Sequence, residues 1–228
     1  MTSRTPAAVL WDMDGTLVDT EPYWIAAETP LVARHGGQWS KEQALAMVGL
    51  GLDDAARLLQ GAGVRMPEHA IVDHLTADVM TRLAVDGVPF RPGARDLLHG
   101  LRSAGVRTAL VTMSLRRMAT VIADLIEFDA FDVIVAGDDA TRPKPFPDPY
   151  LQACAELEVA PEDCVAIEDS PNGLRAAVAA GVPVIGVPHM VSLEGAGADV
   201  LWESLAGRTT MDVADFHAAH RARTGSAA

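Results

Sequence analysis

Two aspartates stand two residues apart where an apolar run ends: Ala7-Ala8-Val9-Leu10-Trp11 runs into Asp12-Met13-Asp14-Gly15-Thr16. In an extended chain, residues i and i+2 point to one side. Both carboxylates therefore face together, with Met13 opposite. Close carboxylates resist ionising together, so one tends to keep a proton near neutral pH. That arrangement suits a nucleophile beside a proton donor. An Asp-rich turn, with Gly15 at the reversal, accounts for the same residues equally well.

A second acid pair, Glu168-Asp169, ends the apolar run Cys164-Val165-Ala166-Ile167. Ser170-Pro171 reads as a helix cap with proline at the first helical position. This explains Ser170 but not two acids on an apolar strand. With Asp12 and Asp14 they would form an all-oxygen cluster suited to magnesium. Lys144 sits between Pro143 and Pro145, in an extended segment that can aim a fixed charge into a crevice. Thr112 closes the run 108–112. Each residue has an ordinary structural reading: a turn, a cap, a surface lysine, a strand threonine. Their order at successive strand ends favours one charged crevice, because ligands of open α/β sheets bind at the carboxyl ends of the strands.

The positioning elements follow from the pattern. Strand-like runs at 7–11, 108–112, 133–136, 164–167 and 182–187 alternate with helix-like stretches at 93–104, 115–125, 149–157 and 172–180, with a last helix at 211–221. Unbroken apolar strands alternating with helices predict a parallel, Rossmann-like α/β sheet covered on both faces. Residues 19–90 differ, having almost no strand signal. Ile71, Leu75, Val79 and Leu83 recur every four residues, and 41–47 and 52–60 look helical. We expect an all-helical unit at 19–90 inserted into a core of 1–18 and 91–228, with a return hinge at Phe90-Arg91-Pro92-Gly93.

A net charge of -13 argues against a nucleic-acid partner, which needs a basic face. No apolar run is long enough to span a bilayer, and no signal-peptide layout precedes the first strand, so the expected setting is the cytoplasm without membrane contact. Cys154 and Cys164 suit a reducing compartment, Cys164 as a packed residue. The seven histidines read as surface or packing residues.

Together these motifs resemble the haloacid dehalogenase-like superfamily of phosphohydrolases. They are Asp12 to Thr16, Val111-Thr112-Met113-Ser114, Lys144-Pro145 with Pro147-Asp148-Pro149-Tyr150, and Glu168 to Gly173. The resemblance covers essentially the whole chain, helical cap included. It implies Asp12 as the nucleophile that forms an aspartyl-phosphate, and Asp14 as the acid that protonates the leaving oxygen and then activates water. It implies phosphate binding by Gly15, Thr112, Met113, Ser114 and Lys144. It implies Mg2+ held by Asp12, the Asp14 carbonyl and Asp169, with Glu168 supporting that site, and a cap hinge beginning at Gly15 and Thr16. The expected partner is a small phosphorylated metabolite, acted on by a monomer or weak homodimer.

Asp19 to Trp24 also resembles the branch acting on sugar phosphates, which includes β-phosphoglucomutases. The mutase pattern has a histidine ten residues beyond the second aspartate; this chain has Trp24 there. Hydrolysis is therefore expected rather than phosphoryl transfer to a second sugar. Val48, Gly49, Leu50, Gly51 and Arg82 are the expected cap candidates for specificity. A receiver-type aspartyl-phosphate switch would carry its aspartate after the third strand and have no cap. A dehalogenase would lack Asp14.

Overall fold

The computed structural model describes residues 5–225. Six parallel strands form one sheet in the order β3-β2-β1-β4-β5-β6. They are β1 Ala8–Trp11, β2 Arg107–Val111, β3 Val133–Val135, β4 Cys164–Glu168, β5 Val184–Gly186 and β6 Val200–Leu201. The chain builds outward from β1 to β3, then returns to the other side of β1 with β4. Adjacent β1 and β4 thus mark the switch point where such sheets bind ligands. Trp11 pairs with Leu110 on one side and Ile167 on the other, so both acid motifs leave the sheet at one level.

All four β1 side chains are fully buried, because both sheet faces are covered. Val9 and Trp11 point to one hydrophobic layer with Leu110, Val165 and Ile167. Ala8 and Leu10 point to the other with Ala109, Val111 and Ala166. The first layer is filled from α5 (Ala94–Ser103), α6 (Arg116–Asp124) and α9 (Thr210–Gly225), and the second from α7 (Asp148–Glu156) and α8 (Pro171–Ala179). Ser170 caps α8 by accepting the Gly173 N–H at 3.0 Å, with Pro171 at its first turn. β5 is shorter than the expected 182–187. Pro183 has no N–H, and only its carbonyl pairs, accepting from Ala166 N at 2.8 Å.

Four helices lie between β1 and α5: α1 Glu21–Arg34, α2 Lys41–Leu45, α3 Leu52–Gly61 and α4 Glu68–Asp86. They enclose their own apolar cluster, including Leu31, Leu59, Ile71 and Leu75. The four-residue stripe on α4 divides. Ile71 and Leu75 fill this cluster, whereas Val79 and Leu83 enter the main core. One helix thus ties the inserted unit to the sheet. The two chain crossings pair with each other: Asp19 N donates to Pro89 O at 2.7 Å and Arg91 N to Leu17 O at 2.9 Å. Cys154 on α7 and Cys164 on β4 are buried free thiols with sulfurs 3.9 Å apart. Among the described residues no helix is long and apolar enough to cross a membrane.

Candidate active site

Asp12 is the first residue beyond β1, and its N–H still donates to Ile167 O at 3.0 Å. The sheet therefore fixes its backbone. Lys144 reaches it from the loop after β3. Its Nζ donates to Asp12 Oδ1 at 2.7 Å, Glu168 Oε1 at 2.6 Å and Val111 O at 2.9 Å, using all three of its protons. This buried cation sits among buried acids. Burial alone would lower its pKa, but Asp12 and Glu168 outweigh burial and hold the ammonium protonated. Burial raises the Asp12 carboxyl, the charge of Glu168 adds to the rise, and Lys144 opposes both. Asp14 contributes least, so desolvation perturbs Asp12 more than its near neighbour in sequence does.

Glu168 accepts from Lys144, from Tyr150 Oη at 2.8 Å, from Asp169 and Ser170 backbone N–H groups and from Ser170 Oγ. Its carboxylate anchors Lys144 and the turn into α8. Asp169 differs. Oδ1 accepts from Thr16 Oγ1 at 3.1 Å, while Oδ2 is buried with no hydrogen-bond partner. Burial, then Asp12 and Glu168, push its pKa well above the carboxylate range. Asp12, Glu168 and Asp169 each offer an oxygen within 4.8 Å of the others. A buried acid cluster with one orphan oxygen is the donor set a hard divalent cation takes. The residues therefore fit magnesium. Gly15 makes the approach possible: its φ is +86°, and a Cβ there would overlap Asp169 Oδ2.

Asp14 turns away from this cluster. Its Oδ2 accepts from Ser114 Oγ at 2.7 Å and Thr112 Oγ1 at 3.3 Å, and its Oδ1 from Trp24 Nε1 at 3.2 Å and Thr20 Oγ1. Thr112 Oγ1 in turn accepts the Ser114 N–H at 3.0 Å. The inserted helices close over this floor. Gly49 O accepts from Asn172 Nδ2 at 3.0 Å, and a Cβ on Gly49 would lie 2.6 Å from Ser170 Cβ. A cavity of about 100 Å³ remains, room for several waters. Asp12, Asp14, Thr112, Met113, Ser114, Lys144 and Asp169 line it from below, while Gly15 and Glu168 support it without lining it. Of the expected cap candidates, Gly49 and Leu50 line the cavity; Val48, Gly51 and the exposed Arg82 do not.

Sequence reasoning missed three features. Glu21 and Glu28 line the cavity from α1, on the face that carries Trp24. The spacing 21, 24, 28 is a helical stripe that a search for apolar periodicity passes over, and Pro22 and Pro30 obscured the helix itself. Burial, followed by Asp14 and Glu28, pushes the Glu21 carboxyl up to about 8. Burial also raises Glu28, although Trp39 Nε1 donates to it at 2.8 Å. Finally, His189 is no mere packing residue. Its ring joins Asp19 on one chain crossing to Arg91 on the other.

The family model for haloacid dehalogenase-like hydrolases matches residues 6–181. The chain is 37% identical to protein CbbY of Cereibacter sphaeroides over 213 residues, covering 87% of this chain and 92% of that one. It is 31% identical to hexitol phosphatase B of Escherichia coli (strain K12), covering 82% and 86%. The crystal structure of CbbY from Rhodobacter sphaeroides in complex with xylulose-(1,5)bisphosphate superposes with a TM-score of 0.79 at 34% identity, covering 89% and 96%. β-Phosphoglucomutase from Clostridium difficile, at 19% identity and a TM-score of 0.83 over 96% and 100% of the two chains, shares the fold. With a family model spanning most of its length and relatives of this identity along nearly all of theirs, the chain belongs to the haloacid dehalogenase-like hydrolases.

Proposed function

We propose that the protein is a magnesium-dependent phosphoric monoester hydrolase acting on a small sugar phosphate, with Asp12 as nucleophile. One observation carries the reading: Lys144 Nζ bridges Asp12 and Glu168 beside the orphan Asp169 Oδ2. A carboxylate attacking a phosphate dianion meets strong repulsion, so catalysis must neutralise charge and hold the atoms in line. Lys144 supplies one fixed positive charge. Asp12, Asp169 and the Asp14 carbonyl, with Glu168 in support, would hold a magnesium ion, which would supply the rest of the charge neutralisation when bound.

Asp12 attacks phosphorus as the ester P–O bond breaks, and Asp14 gives its proton to the leaving alkoxide. The resulting aspartyl-phosphate divides hydrolysis into two easier steps. Asp14, now ionised, takes a proton from water, which attacks the same phosphorus and frees Asp12. Thr112, Ser114 and the backbone after β2 hold the phosphoryl oxygens. Residues 19–90 act as a cap that closes over the ester and excludes bulk water, hinged at the paired crossings.

Named relatives support the substrate class. They include hexitol phosphatases and a CbbY crystallised with a sugar bisphosphate. The reading is tested by a magnesium-supplemented screen of sugar phosphates, phosphoglycolate and nucleotides. Absence of phosphate release from every ester, an aryl phosphate included, contradicts it.

A further inference from the structure

The cavity holds many acids and few cations. Among the described residues its lining has one basic side chain, Lys144, whose three protons are already engaged. The cap adds no lysine, arginine or histidine. It supplies an apolar wall of Met47, Leu50, Leu52, Ile71, Val72 and Leu75, and two carboxyls, Glu21 and Glu28. Glu21 is 9% exposed, and its carboxyl makes no hydrogen bond with any described residue. It is an open acceptor facing the cavity.

Resting on the phosphatase reading above, we propose that Glu21 and Glu28 make this cap selective for esters with one phosphate on an uncharged alcohol, and that bisphosphates are rejected. A sugar hydroxyl both donates and accepts, so it can satisfy an unpartnered carboxyl in either protonation state. A site built around such an acceptor discriminates strongly against groups that cannot donate. A second phosphate is a dianion, which needs a cation or several donors when taken out of water. Here it would meet two carboxyls and hydrocarbon. The inference departs from the ligand seen with the CbbY relative, which carries two phosphates.

The test measures competition against p-nitrophenyl phosphate hydrolysis at fixed free Mg2+. The competitors are two matched pairs: glucose 6-phosphate with glucose 1,6-bisphosphate, and fructose 6-phosphate with fructose 1,6-bisphosphate. In the pair that binds more tightly, the monophosphate should bind at least tenfold better than its bisphosphate. Leu52→Lys places a cation on the cap wall at a partly exposed position. It should shrink that ratio at least threefold, with folding checked by circular dichroism. A wild-type ratio below ten, or no competition by any of the four, overturns the selectivity. So does an unchanged ratio in folded Leu52→Lys. Failure to hydrolyse p-nitrophenyl phosphate at all overturns the phosphatase reading beneath it instead.

Discussion

The indole N–H of Trp24 donates to Asp14 Oδ1 across 3.2 Å. Three hydroxyls, from Thr20, Thr112 and Ser114, complete the set around this carboxylate. A hydroxyl can turn and accept, whereas an indole only donates. Trp24 therefore gives this carboxyl a donor that cannot turn round and accept. The inserted unit thus contacts Asp14 through this bond.

Trp24→Phe should lower kcat for an aryl phosphate roughly 5–20-fold while leaving the fold intact, since positioned acid/base groups contribute about 100-fold or more. Incubation of the wild type with β-glucose 1-phosphate and a bisphosphate primer should release free phosphate faster than it forms glucose 6-phosphate. The opposite order would make the protein a mutase.

Gly15→Ala should raise the Mg2+ concentration for half activity about tenfold or more and lower the melting temperature. A Cβ there overlaps Asp169 Oδ2, and the backbone lies at φ +86°. A metal titration of activity beside a thermal melt reads both. An unchanged half-activity concentration would remove Asp169 from the metal site.

Metal-free protein should lose stability as pH rises. A carboxyl with a raised pKa binds its proton more tightly in the native state than in the unfolded one. For Glu21, at about 8 against an ordinary 4.5, the native state holds the extra proton between those values. Its contribution is complete below about 4.5 and is lost as pH climbs through about 8. Glu21→Gln should reduce the loss between pH 5 and pH 8 by on the order of 2 kcal/mol in urea melts. Mg2+ should raise the midpoint more at pH 8 than at pH 6, because its ligands must be ionised to bind. Equal slopes for wild type and Glu21→Gln would contradict the burial of that charge.

His189→Ala should loosen the cap. Arg91 only donates, so His189 Nδ1 accepts from it and Nε2–H donates to Asp19 Oδ1 at 2.8 Å. The ring clamps both crossings to the loop after β5. Its loss should lower kcat/KM several-fold and speed hydrogen exchange at 17–20 and 88–91, with the sheet's protection unchanged.

What the sequence revealed follows from where the signal was local. β1, β2 and β4 are buried on both faces and read as unbroken apolar runs, and their carboxyl ends announced Asp12, Thr112 and Glu168-Asp169. β6 has two residues and no pattern to detect. α1 carries Pro30 within it and a stripe of acids and tryptophan where an apolar stripe would be sought. Glu21 and Glu28 face a cavity, and His189 joins two chain crossings, that exist only once the inserted unit has folded onto the sheet. Gly15 drew notice as a turn residue; that its missing Cβ admits Asp169 depends on a residue 154 positions away.

The central claim is that the phosphoryl group passes through Asp12. The most direct measurement is steady-state phosphate release by Asp12→Asn beside the wild type, with Mg2+ present and circular dichroism confirming the fold. The amide keeps the shape of the carboxylate and can still accept from Lys144, but it is a poor nucleophile. The account predicts a folded variant with turnover reduced at least about a thousandfold. A folded Asp12→Asn that releases phosphate at near wild-type rate would contradict it.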